Sequence, residues 1–109
     1  MENNSFETAK VFDFKKEVEY SNNGIISKRV LDKAVGNITL FSFDAGQRLS
    51  EHTAPFDAFI EVIEGSAEII IDGNPYIVSA GESIIMPANI THAVNAIERF
   101  KMVLIMIKA

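Results

Sequence analysis

The stretch Gly46-Gln-Arg-Leu-Ser-Glu-His52-Thr-Ala54-Pro-Phe-Asp-Ala58-Phe-Ile-Glu-Val-Ile-Glu-Gly65 decides how this chain is read. Glycines frame it and read as turn residues with positive φ, a backbone region that side chains disfavour. Between them, His52, Ala54, Phe56, Ala58, Ile60 and Val62 alternate with mostly polar neighbours, so they share one face of an extended segment. A second framed stretch follows at Gly81-Glu-Ser-Ile-Ile-Met86-Pro87-Ala-Asn89-Ile-Thr-His92. The two histidines of the chain therefore fall one in each stretch, and two imidazoles facing one interior can share a metal ion.

Working outward, short apolar runs recur between turn signals. Strands are predicted over 25–31, 38–43, 52–53, 59–63, 67–71, 76–78, 84–86, 92–94 and 100–107. Asp72-Gly73-Asn74-Pro75 is the clearest hairpin signal. No segment sustains a 3.6-residue period, and turn signals about every 8–12 residues suit a sandwich or barrel. Residues 1–10 read as a frayed tail. Residues 11–20 fit either a helical turn begun by Asp13 or a first strand. Pro55 and Pro87 mark strand ends, edges or bulges, because proline has no ladder donor. The expected fold is all-β, a jelly-roll barrel that manages its own sheet edges, with residues 1–24 as an N-terminal extension and 25–109 as a single barrel domain.

Composition narrows the function. At 109 residues there is room for one core. The absence of cysteine excludes disulfides, thiolate nucleophiles and Cys-based metal sites. A net charge of −5, with Lys and Arg scattered singly or in pairs, argues against nucleic acid. The polar N-terminus lacks a secretory pattern, and the apolar run Met102 to Ile107 is far short of a membrane span. A cytoplasmic protein without membrane contact is the expectation. Phosphate loops, serine elbows and paired-carboxylate sites find no match.

The framed segments resemble the two motifs of the cupin superfamily of double-stranded β-helix barrels. Gly46, His52 and Gly65 fit the first motif in register; Gly81, Pro87 and His92 fit the second, and fifteen residues, Ser66 to Ala80, separate them. In that family three histidines and a glutamate hold a divalent metal. The resemblance makes His52 and His92 the metal ligands, but Ala54 replaces the second histidine and Ala58 the glutamate. Asn89 stands at a motif glycine and Ala96 at the final asparagine. A complete structural zinc shell gives roughly 10–16 kcal/mol. Half of one would give ~5–8 kcal/mol, a dissociation constant between roughly 0.1 mM and 1 µM. Any Fe, Zn, Ni or Mn would then be weakly held unless a third group joined. Asp57 is a candidate if a bulge at Pro55 turns it inward; Gln47, Met86 or a substrate carboxylate are weaker ones.

The expected pocket comprises His52, Ala54, Phe56, Ala58, Ile60, Met86 and His92, with Met102, Leu104 and Met106 adding apolar lining. Two functions are expected from it. One is a small-molecule-binding or sensing protein, metal-free or weakly metallated, in which the histidines donate hydrogen bonds or act as acid and base. The other, implied by the resemblance, is a dioxygenase, isomerase or decarboxylase acting on a small organic acid through a two-histidine metal centre. The residues favour the first and leave open whether the protein is an enzyme. The resemblance also implies a homodimer, paired through outer sheet faces or exchanged N-terminal strands.

Overall fold

The computed structural model describes residues 6–109; the first five positions of the expected tail lie outside them. The described residues form one short helix, α1 (Phe14–Glu17), and nine strands: β1 (Ile25–Lys33), β2 (Gly36–Phe43), β3 (Arg48–His52), β4 (Phe56–Glu64), β5 (Ser66–Ile71), β6 (Asn74–Ser79), β7 (Ser83–Met86), β8 (His92–Asn95) and β9 (Phe100–Lys108). The ambiguity over 11–20 resolves into the helical turn, with the Asp13 carboxylate accepting the Lys15 N–H at 3.0 Å as an N-cap.

Five strands form one sheet in the order β1-β2-β9-β4-β7, and four form the other in the order β3-β8-β5-β6. Every pairing is antiparallel. Asp72 and Gly73 both have positive φ, 51° and 79°, so two residues close the β5–β6 hairpin and Ile71 faces Asn74. Pro75 sits in β6, an edge strand, where its missing N–H spares the ladder. Pro55 precedes β4 and Pro87 follows β7, so both prolines stand at strand ends.

Alternation drives the inner faces of the two sheets together. Phe43, Ile60, Val62, Ile69, Val94, Phe100 and Met102 are buried there, and the Phe43 and Phe100 rings stack with centroids 4.5 Å apart. Each such side chain contributes about 1.5–3 kcal/mol by leaving water.

The outer face of the five-stranded sheet is apolar too. Residues 6–20 cover part of it, packing Phe6, Phe14 and Val18 against Val30, Leu40 and Val103. Polar bonds fasten that cover: the Lys101 ammonium donates to the Lys15 carbonyl at 2.6 Å, and the Ser42 hydroxyl donates to that of Glu19 at 2.7 Å. Leu31, Val35 and Ile107 stay exposed at the far end of the same face. Among the described residues no helix is long and apolar enough to cross a membrane.

Candidate functional site

His52 ends β3 and His92 begins β8, and the two are directly opposed partners in the antiparallel ladder. Residues forty positions apart thus become cross-strand neighbours. A register shift between Leu49 and His52 lets both residues, three apart, line one cavity, where strict alternation would separate them. His92 is 5% exposed, whereas His52 stands at the rim, open to solvent.

The rings meet edge to face with centroids 4.4 Å apart and Nε2 atoms 3.1 Å apart. The other nitrogens are committed. His52 Nδ1 lies 2.7 Å from the Ser50 carbonyl, and His92 Nδ1 lies 3.2 Å from that of Ile90. A carbonyl only accepts, so the tautomer that satisfies both carbonyl contacts is the one with the hydrogen on each Nδ1. In the neutral pair both Nε2 atoms then present lone pairs to each other. At 3.1 Å that contact is favourable only when a hydrogen lies between them. Burial, and then the neighbouring His52 ring, hold His92 below the usual imidazole range, with the Ile90 carbonyl pulling weakly the other way.

The pair closes the polar end of a cavity of about 50 Å³. Leu49, Ala58, Ile60, Met86, Val94, Met102, Leu104 and Met106 complete the lining. Of the expected pocket residues, His52, Ala58, Ile60, Met86 and His92 meet there. Ala54 and Phe56 do not line it: Ala54 precedes β4, with its carbonyl accepting the Asn89 N–H at 2.8 Å, and Phe56 opens the strand. Sequence reasoning missed Leu49 and Val94. Val94 was legible by parity, two residues beyond His92; Leu49 was hidden by the β3 register shift.

The condition for an inward Asp57, a bulge at Pro55, is not met. From Phe56↔Lys108 onward β4 pairs with β9 without a break until Val62. Parity is therefore kept, and Asp57 points outward, accepting the Ala88 N–H at 3.0 Å. It is no third ligand.

The donor set decides whether a divalent metal of the kind the fold implies fits here. Two imidazole nitrogens converge, and no lining residue is a carboxylate. Among the described residues no three His, Asp or Glu side chains are grouped to hold an ion. An open catalytic site keeps three protein ligands. The residues present do not fit a resident divalent ion.

The chain belongs to the cupin family: the model of the cupin domain matches residues 39–108. Among solved structures, a conserved protein of unknown function from Streptococcus pyogenes is 40% identical, with a TM-score of 0.92 over 97% of this chain and 93% of that one. A cupin 2 conserved barrel domain protein from Leptotrichia buccalis is 43% identical, with a TM-score of 0.87 over 89% of this chain and 47% of that one. A mutant of salicylate 1,2-dioxygenase from Pseudoaminobacter salicylatoxidans shares the fold alone, at 13% identity and a TM-score of 0.71 over 76% of this chain and 26% of that one. No curated protein matches the sequence.

Proposed function

We propose that this cupin binds a small organic ligand, as a binding or sensing protein, and that the ligand's polar end enters the cavity beside His52 and His92. The observation that carries the reading is the pair of Nε2 atoms, 3.1 Å apart, at the one polar end of an apolar cavity. Ligand pockets have this composition, a greasy lining with a few placed polar groups. With both Nδ1 hydrogens spent on carbonyls, the pair offers lone pairs and so selects a ligand that brings its own hydrogen: a hydroxyl, an amine or an un-ionised acid.

Size limits the ligand further. A cavity of about 150 Å³ takes benzene, and this one is near 50 Å³. Only a few heavy atoms enter unless Met86, Met102 or Met106 moves, which their flexible side chains allow. The test is side-chain and amide NMR during titration with small alcohols, amines and carboxylic acids. The reading expects shifts at Leu49, Met86 and His92, lost in Ala58→Val, which fills the cavity. Binding elsewhere, or binding unchanged by Ala58→Val in a folded protein, would contradict it.

A further inference from the structure

Strand pairing carries one apolar row across the outer face of the five-stranded sheet, from edge to edge. Leu31 on β1 pairs with Ile38 on β2, Ile38 with Ile105 on β9, Ile105 with Phe59 on β4, and Phe59 with Ile85 on β7. Directly paired residues in a sheet point to the same side. Ala58 and Ile60, the neighbours of Phe59, line the cavity, so the row lies outside the barrel. Ile107, two residues beyond Ile105, extends the patch beside Val35. The N-terminal segment shields the other end of this face and leaves these positions open: Ile85 is 62% exposed, Ile107 59% and Val35 70%. Aliphatic side chains grouped on one open face mark a contact surface, whereas scattered ones need no explanation.

We infer that this face packs against the same face of a second copy of the chain, about a twofold axis that runs along β9 between the two sheets. The row itself argues for that partner. β9 is the third strand of the five, so a half-turn about such an axis lays β2 over β4 and β1 over β7. The apolar row then meets its own reverse: Leu31 faces Ile85, Ile38 faces Phe59, and Ile105 faces its own copy. A twofold contact requires a self-complementary patch of this kind. The half-turn also keeps the strands of the two sheets aligned, a stable way for sheets to pack.

Charge argues for it independently. The next row of the ladder runs Lys33, Gly36, Ile107, Asp57, with its cation on β1 and its anion on β4. The same half-turn brings Lys33 of one copy to within one strand spacing, about 4.8 Å sideways, of Asp57 in the other. Symmetry makes this contact twice. Asp57 spends one oxygen on the Ala88 N–H, and a carboxylate keeps further acceptor sites for an ammonium. Opposite charges at the rim of an interface fix its register and orientation. Lys101 and Ser42 fasten the N-terminal segment to its own barrel, so the contact needs no exchange of segments. The inference goes beyond the proposed function and does not depend on it, since this face and the cavity lie on opposite sides of one sheet.

The test is sedimentation velocity of the full chain from about 1 µM to about 1 mM. A reversible dimer with a dissociation constant below about 100 µM is the expected result. Ile107→Lys, at an open position, should weaken it by about tenfold or more. Lys33→Glu and Asp57→Lys should each weaken it as well, because each variant dimer opposes like charges twice. Mixed in equal amounts, those two variants should associate again, since the mixed dimer restores both opposite-charge contacts. A monomer throughout the range would leave the face to a different partner and overturn the inference. A dimer indifferent to Ile107→Lys and to both charge variants would lie elsewhere on the molecule, and charge variants that stay apart on mixing would deny the half-turn; either result overturns it too.

Discussion

Ala58, 2% exposed and set between Met86 and Met106, puts a methyl group against the cavity that His52 and His92 close. Ala58→Glu would place a carboxylate there. Unpaired, a buried carboxylate is costly, so this variant should melt lower than the parent in the presence of a chelator. Zn(II) should restore the loss, because an ion that binds only the folded state stabilises it; calorimetry with and without the metal checks this, and an unresponsive melt would speak against a convergent histidine pair. A second residue carries a pH prediction. Asp44 accepts from the Arg99 guanidinium at 2.8 Å, from the Asn23 N–H at 2.7 Å and from the Ala45 N–H at 3.0 Å. The Arg99 bond first, then the Asn23 N–H, hold its carboxyl below the usual range, with desolvation opposing. A depressed folded value means the contribution is complete above the ordinary Asp value of about 3.9 and is lost as pH falls through the lower folded one. Asp44→Asn should flatten the acid limb of a urea-midpoint-versus-pH curve; an unchanged limb would show that Asp44 contributes little. The histidines were legible in the sequence because residue type and spacing reveal them. The direction of Asp57 stayed open in the sequence because it depends on where a bulge falls, and proline at a strand end looks in sequence like proline at a bulge.

Strands and turns explain which parts of the site could be foreseen. The β5–β6 hairpin was readable because Asp-Gly has few other conformations as favourable as a tight turn. The irregularity in β3 was not, since Arg48–His52 contains neither glycine nor proline to announce it. That irregularity is what brings Leu49 into the lining. Gly65 shows how sharply one turn is specified. Its φ is +77°, and a Cβ there would lie 2.1 Å from the Arg99 carbonyl oxygen. Gly65→Ala should therefore cost about 1–3 kcal/mol from the strained backbone alone, with the clash added. A urea midpoint equal to that of the parent would contradict this account of the turn. Asp57→Asn, by contrast, should leave ligand binding in the cavity unaltered, because β4 directs that side chain outward; weakened binding would mean the parity is misassigned.

Across the whole molecule, the barrel owes its legibility to repetition: alternating faces and regularly spaced turns each point to the same closed sheet. The N-terminal segment had no such redundancy. Its helix is four residues long, too short for a period to emerge, and its burial depends on an outer sheet face assembled from β1, β2 and β9. Val18, 5% exposed, is seated on that face. Val18→Ala should lower stability by about 1.5 kcal/mol while leaving the cavity's ligand behaviour intact, which paired denaturation and binding curves would show; an unaltered midpoint would mean the segment is not held there. The account as a whole rests on two imidazoles that give their Nδ1 hydrogens to the backbone and aim bare Nε2 atoms at one point. Long-range ¹H–¹⁵N NMR of the imidazole rings at neutral pH measures this directly. Both rings are expected as neutral Nδ1–H tautomers, with both Nε2 signals moving together when a small organic ligand is added. An Nε2–H tautomer at His92, or a His52 ring averaging freely in solvent, would contradict it.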